Sequence, residues 1–280
     1  MSGGVIAAAI VAHVPTLSRA EITPVFQRTL VDGERRLGAE LRAARPDLWV
    51  IASTHWVSTF NWFATCQKVH EGICVADEAP DLVPGTRYRF LGDPDFGAAL
   101  VNAWKADGIP ALPNESPHYS WDYGTFVPLS HLDPDAEVPV VGVPTVLMAD
   151  LEECRRAGAA IHATAKRTGK RVVLLASTAL SHALVRGRHH TPTPERAALD
   201  QRFIEQLKAG RVRELVDWLP EFSRASVAEM GGRALATMLG ALDSLERSGA
   251  RFECAMYGDY AQSSGSGNAN LCVRVTGGLG

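Results

Sequence analysis

Four short runs are apolar almost without interruption: VIAAAIVA at 5–12, LWVIAS at 48–53, VPVVGVPT at 138–145 and RVVLLAS at 171–177. Runs of this length without polar alternation suit strands covered on both faces, as in parallel sheets. The two prolines of the third run suggest a sheet edge or the ends of the strand. Between the first two runs, Phe26, Leu30, Leu37 and Leu41 recur at helical spacing through FQRTLVDGERRLGAEL, with Pro46 just beyond. The opening therefore reads strand, helix, strand, with a connection long enough for a parallel crossover.

Further along, FNWFATC reads as a strand, followed by a loop rich in proline and glycine through DEAPDLVPGTRY. A helix is expected from Asp93 as N-cap with Pro94 in its first turn, carrying Phe96, Leu100, Val101 and Trp104 on one side. Asp150 and Glu153 have the spacing of a capping box, and Gly169 suits the C-terminal end of that helix. Residues 194–244 are mostly helical in pattern with an expected interruption at Pro220, and 252–258 and 270–275 read as closing strands around a Gly/Ser turn. Neither an internal repeat nor a shift in composition divides the chain. The expectation is one α/β domain over 1–280, with a central, mostly parallel mixed sheet flanked by helices.

Composition narrows the function. Hydrophobic residues make up 46% of the 280 and charged residues 21%, enough apolar matter for a large core. Net charge is -3 and the basic residues are scattered, so no footprint for nucleic acid or an anionic membrane is present. The five cysteines, at 66, 74, 154, 254 and 272, include no C-x-x-C pair, which favours reduced thiols and a cytoplasmic protein. The first apolar run lacks a basic leader and breaks at His13 and Pro15, so it reads as a strand and not as an export signal or a membrane span.

The chemistry gathers at strand ends. AAAIVAH, LWVIASTH and LLASTALSH each run out of an apolar strand into a histidine, at His13, His55 and His182. Ligands of open α/β sheets bind outside the carboxyl ends of the strands, so three imidazoles there suggest one shared site. A metal-binding imidazole needs its second nitrogen fixed by a hydrogen bond, and Ser53, Thr54, Ser177 and Ser181 are close in sequence. Two histidines with one carboxylate suit a non-haem Fe(II) centre, and such sets also bind zinc. The pattern alone does not single out the carboxylate.

The motifs AHVPTL, STHW, DYGTFVPL, LLASTALSH and AEMGGRALATMLGAL, in that order across nearly the whole chain, resemble the class III (LigB-type) extradiol ring-cleavage dioxygenases. Within that family the chain resembles the homoprotocatechuate 2,3-dioxygenase and 2-aminophenol 1,6-dioxygenase branches. The resemblance implies an α/β fold and Fe(II) held by His13, His55 and Glu229, with Glu229 opening an apolar helix. It gives His182 an acid/base role beside the metal. Many members have histidine at the position of Tyr123; a phenol is a poor base at neutral pH, so Tyr123 is assigned to positioning or proton donation. The implied reaction opens a catechol-like, o-aminophenol-like or related ring with O2, in an enzyme expected to be a homo-oligomer.

Weaker signals remain. Arg186–His190 reads either as a lid offering cations to an acidic aromatic or as a solvated loop. His118 reads as a loop histidine, and His70, His131 and His162 as structural or surface residues. SSGSGNAN at 263–270 lacks the third glycine of a dinucleotide cradle and precedes a strand, so that reading is rejected; Tyr257 and Tyr260 lie nearby. Two rival functions stay open: a zinc-dependent hydrolase or lyase, and a non-catalytic subunit of a heteromeric dioxygenase, which should have lost ligands.

Overall fold

The structure, a computed structural model, describes residues 3–277; residues 1, 2 and 278–280 of the expected domain lie outside the described residues. In chain order the elements are β1 (Gly4–Val11), α1 (Arg28–Ala43), β2 (Leu48–Ser58), β3 (Trp62–Thr65), β4 (Val69–Cys74), β5 (Thr86–Leu91), α2 (Pro94–Ala106), β6 (Ala111–Asn114) and α3 (Tyr123–Leu132). They continue with β7 (Val140–Val146), α4 (Leu151–Thr168), β8 (Arg171–Ser177), α5 (Pro194–Lys208), α6 (Val212–Ala225), α7 (Arg233–Arg247), β9 (Arg251–Met256), β10 (Ala261–Ser263), β11 (Ser266–Asn268) and β12 (Leu271–Gly277).

Six strands form the central sheet in the order β7-β2-β8-β1-β12-β9. The first four run parallel, and β12 pairs antiparallel with both β1 and β9. The continuous apolar runs are explained by burial on two sides. Along β8, Val172, Leu174 and Ala176 enter the core shared with α4 and α7, while Val173 and Leu175 enter the core shared with α1 and α3. Leu48, Val50 and Ala52 of β2 alternate with Trp49 and Ile51 in the same way. The expected α/β architecture is what the molecule adopts, with the proline-bearing β7 at the sheet edge.

Two local expectations are corrected, and one segment that the hydrophobic pattern left unassigned is helical. Pro220 does not interrupt a helix: α6 runs through it with the ring exposed to solvent, and the breaks fall at Gly210 (φ 70°) and after Ala225. DYGTFVPL is helical despite Pro128, with Asp122 accepting the Thr125 N–H as N-cap. The loop after FNWFATC is flanked by an antiparallel hairpin, β4–β5, and followed by β6, which pairs with β3. All five cysteines are free thiols. Among the described residues, no helix is long and apolar enough to cross a membrane.

One buried group opposes stability. Glu34 of α1 is fully buried and neither carboxyl oxygen has a hydrogen-bond partner. Burial raises its pKa well above the usual carboxylate value, against a smaller pull from Arg35. The fold therefore holds it protonated while the unfolded chain ionises, so its stability is fully present below the unfolded pKa. That stability is lost by about 1.4 kcal/mol per pH unit as pH rises toward the folded value. Glu34→Gln is expected to flatten the pH dependence above about pH 5 and to be more stable than the parent at pH 8. Urea unfolding at both pH values checks this; an equal loss at both would defeat it.

Candidate functional site

Three neighbouring strand ends build the floor. Ser177 of β8 lies opposite Val11 of β1 and Ser53 of β2 in the ladders, so His13 and His55 each lie two residues past the same level. In the pairing of β2 with β7 the register jumps between Ser53 and Val57, and the three residues 54–56 bulge out of the ladder. That bulge turns His55 toward the site. Its backbone N–H donates to Ser53 Oγ at 3.1 Å, and Ser53 donates to Asp122 Oδ1 at 2.6 Å, tying the bulge to the cap of α3.

Glu229 arrives from the opposite side. It does not open a regular helix: it begins a 3-10 turn before α7, with Met230, Gly231 and Gly232 at φ 46°, 67° and 78°. Glycine at 231 and 232 makes two consecutive left-handed residues affordable in strain. The turn is bound to the His182 segment through the Ser181–Ala228 bridge. The buried carboxylate accepts the Ala179 N–H at 2.6 Å on Oε2 and aims Oε1 at three imidazoles. Nε2 of His13, His55 and His182 lies 3.3, 3.4 and 3.6 Å from that oxygen.

Hydrogen bonds assign the tautomers. Ser177 gives its one hydroxyl proton to the Gly124 carbonyl at 2.5 Å, so at 3.1 Å it accepts from His13 Nδ1. On His55, Nδ1–H donates to Glu78 at 3.2 Å. In the neutral rings this leaves the Nε2 lone pairs aimed into the site, whereas a protonated ring donates its Nε2–H to the Glu229 carboxylate. Ligand atoms of His13, His55 and Glu229 all lie within 4.8 Å of one another, a set that leaves His182 out. Adjacent ligands of a metal with bonds of about 2.1 Å stand about 3 Å apart, so this set fits a divalent cation with little movement.

The electrostatics agree. Burial alone would raise the Glu229 pKa, but the His13 charge, with hydrogen bonds from His13 and His55, holds it well below the usual range. Burial pulls His55 down, yet the Glu229 hydrogen bond and charge leave it raised, a proton then serving where a cation can. His182 goes the other way: burial lowers it, only partly offset by Glu229, so its ring is neutral near pH 7. Tyr123 donates to His55 Nε2 at 2.7 Å, and burial together with the Glu78 and Glu229 charges raises its pKa, so it stays protonated.

A cavity of about 580 Å³ opens over the cluster, walled by Pro15, Glu78, Leu184, Arg188, Ser264 and Asn268 among others. SSGSGNAN is the β10–β11 hairpin on this wall, which agrees with rejecting a nucleotide cradle. Of the basic loop, Arg188 lines the cavity, while His189 rests against Phe26. The loop is laced to the hairpin by Ser264 N–H to Arg188 O and Gly265 N–H to His190 O. His70, His131 and His162 bond to backbone at Val140, Leu17 and Val5, as expected of structural residues, and His118 is exposed. Thr54 and Ser181 do not support an imidazole. Sequence reasoning missed Glu78, whose loop carries no spacing signal linking it to His55.

Residues 7–263 match the model of the catalytic LigB subunit of aromatic ring-opening dioxygenase. The 3,4-dihydroxyphenylacetate 2,3-dioxygenase of Escherichia coli is 22% identical, with 84% of this chain and 89% of the relative covered. The 2-aminophenol 1,6-dioxygenase beta subunit of a Pseudomonas species is 26% identical over 86% of each chain, and its alpha subunit is 25% identical over 84% of this chain and 86% of its own. The crystal structure of an uncharacterized protein from Escherichia coli K12 shares the fold, with a TM-score of 0.67 at 18% identity over 95% of this chain and 99% of the other. With the family match covering most of its length, the chain belongs to the LigB family of aromatic ring-opening dioxygenases.

Proposed function

We propose that the protein is an Fe(II)-dependent extradiol dioxygenase that opens a catechol-like or o-aminophenol-like ring, with both atoms of O2 entering the product. The observation carrying this reading is the convergence of two imidazole lone pairs and one buried carboxylate beneath a cavity of about 580 Å³, with a neutral third histidine beside them. His13, His55 and Glu229 would hold the metal, a two-histidine, one-carboxylate set that keeps positions open on the cavity side. Bound Fe(II) would supply Lewis acidity toward the ring heteroatoms and a path for electrons between ring and O2.

The protein's own residues do the rest. Neutral His182 takes the proton of a ring hydroxyl at Nε2 and later returns it to oxygen. Tyr123 keeps its proton and holds the substrate by hydrogen bonding. Glu78 and Ser177 keep the His55 and His13 lone pairs on Nε2. Retention of all these side chains in one place argues against a non-catalytic subunit.

Arg188 is the only lysine or arginine among the described residues lining the cavity, which favours a ring bearing a carboxylate. The relatives' names point to 3,4-dihydroxyphenylacetate and 2-aminophenol, the first of which carries that group. The test is anaerobic Fe(II) reconstitution followed by oxygen uptake with neutral and carboxylated catechols and o-aminophenols. Stoichiometric uptake with a coloured ring-opened product is expected, and Arg188→Ala should raise KM about tenfold for carboxylated rings only. Turnover that follows zinc and consumes no oxygen would overturn the reading.

A further inference from the structure

On the side of the His182 segment away from the cavity, three polar side chains meet in the interior. Asp200 of α5 is fully buried, and its Oδ2 accepts hydrogen bonds from Ser181 Oγ and Tyr260 OH, both at 2.6 Å. Its other oxygen, Oδ1, is buried with no partner. None of the three residues lines the cavity. An aliphatic side chain would pack there without desolvating a carboxylate, so the acid needs a reason. Burial pushes its pKa up to about 6 even with two hydroxyls donating to it.

Ser181 immediately precedes His182, and neighbouring side chains of an extended segment point to opposite faces. One turns to Asp200 and the other to the site. The backbone of 180–182 is bonded on both flanks. His182 N–H reaches Val227 O at 3.0 Å on the Glu229 side, and Leu180 N–H reaches Gly267 O at 2.9 Å on the β11 side. Those bonds set the strand but not its lean against α5. A Cβ at Gly267 would fall 2.1 Å from both Asp200 Oδ2 and the Tyr260 hydroxyl, so glycine at 267 is what lets this cluster sit against β11.

We propose that Asp200 is a positioning residue for His182: bonded to Ser181 and Tyr260, it locks segment 180–182 between α5 and β11 and fixes where the imidazole stands above Glu229. The inference rests on the acid/base reading of His182 only for its effect on rate. Ser181→Ala removes one hydroxyl and leaves the Asp200–Tyr260 pair, and Asp200→Asn keeps size while weakening the acceptor. Each is expected to lower kcat of the iron-loaded enzyme at least about tenfold, with KM and metal affinity within about twofold. The double variant should be no worse than the poorer single one.

An independent readout is the order of the His182 ring in metal-free protein, followed by side-chain NMR relaxation. A single ordered ring in the parent and exchange broadening in both variants are expected. A ring equally ordered in both variants would overturn the positioning role, whatever the rates. So would a kcat loss matched by an equal loss of metal affinity, which marks general collapse of the site. Should His182→Asn keep full kcat, the acid/base reading fails instead, and ring order still decides the role of Asp200.

Discussion

Glu229→Gln is expected to lower affinity for Fe(II), or Co(II) as a stable probe, by at least about 100-fold and to remove ring cleavage by about a thousandfold or more. Loss of an outer-shell partner alone costs about 10- to 100-fold, and here the proposed charged ligand itself is lost. The amide oxygen can still accept from the Ala179 N–H, so the fold persists. What disappears is the negative charge facing three imidazoles, and with it the force that raises His55. Calorimetric metal titration beside thermal unfolding checks both halves. Retained affinity in a folded variant would remove Glu229 from the ligand set.

His182→Asn should separate binding from chemistry. The ring stands outside the three-residue candidate ligand cluster, so metal affinity is expected to stay within about threefold while kcat falls about 10²- to 10⁴-fold, the range of a lost acid/base group. Burial lowers the His182 pKa below its ordinary value, so the neutral base form prevails at pH 7. Activity that needs this base declines as pH drops through that lowered pKa, giving an acid limb that the variant lacks. Oxygen-uptake rates against pH, with kcat/KM resolved, provide the check. A variant within threefold of the parent across the profile would assign proton transfer elsewhere.

What was legible in the sequence follows from where burial is uniform. β1, β2 and β8 are covered on both faces, so their apolar runs are unbroken and the histidines after them stand out. α3 shows no periodicity because nearly every residue from Tyr123 to Leu132 is buried, and Pro128 reads as a breaker. β4 and β5 pair as a hairpin; β4 turns His70 inward and leaves Ile73 exposed, so its residue types hide the strand, and the six alternating residues of β5 adjoin a loop rich in proline and glycine. Glu229 was reached by resemblance alone, since its role depends on a left-handed turn that two glycines permit and no hydrophobic pattern encodes. Glu78 and Asp200 act across 23 and 19 residues from loop and helix to His55 and Ser181, contacts that only the folded chain makes.

The position of β1 bears on how the protein is made. It precedes every other strand of the chain yet lies inside the sheet, between β8 and β12. Its ladder partners are Arg171–Ser177 on one side and Leu271–Arg274 on the other, so this apolar segment leaves the ribosome well before either edge can be paired. Open edges on such a strand invite association with other nascent chains, and pairing at this sequence distance is slow. The expected consequence is a soluble yield in cells that rises when holding chaperones are co-expressed, which a yield comparison checks. Metal cannot act on this early stage, because His13 gains its partner Glu229 only after α6 has been made.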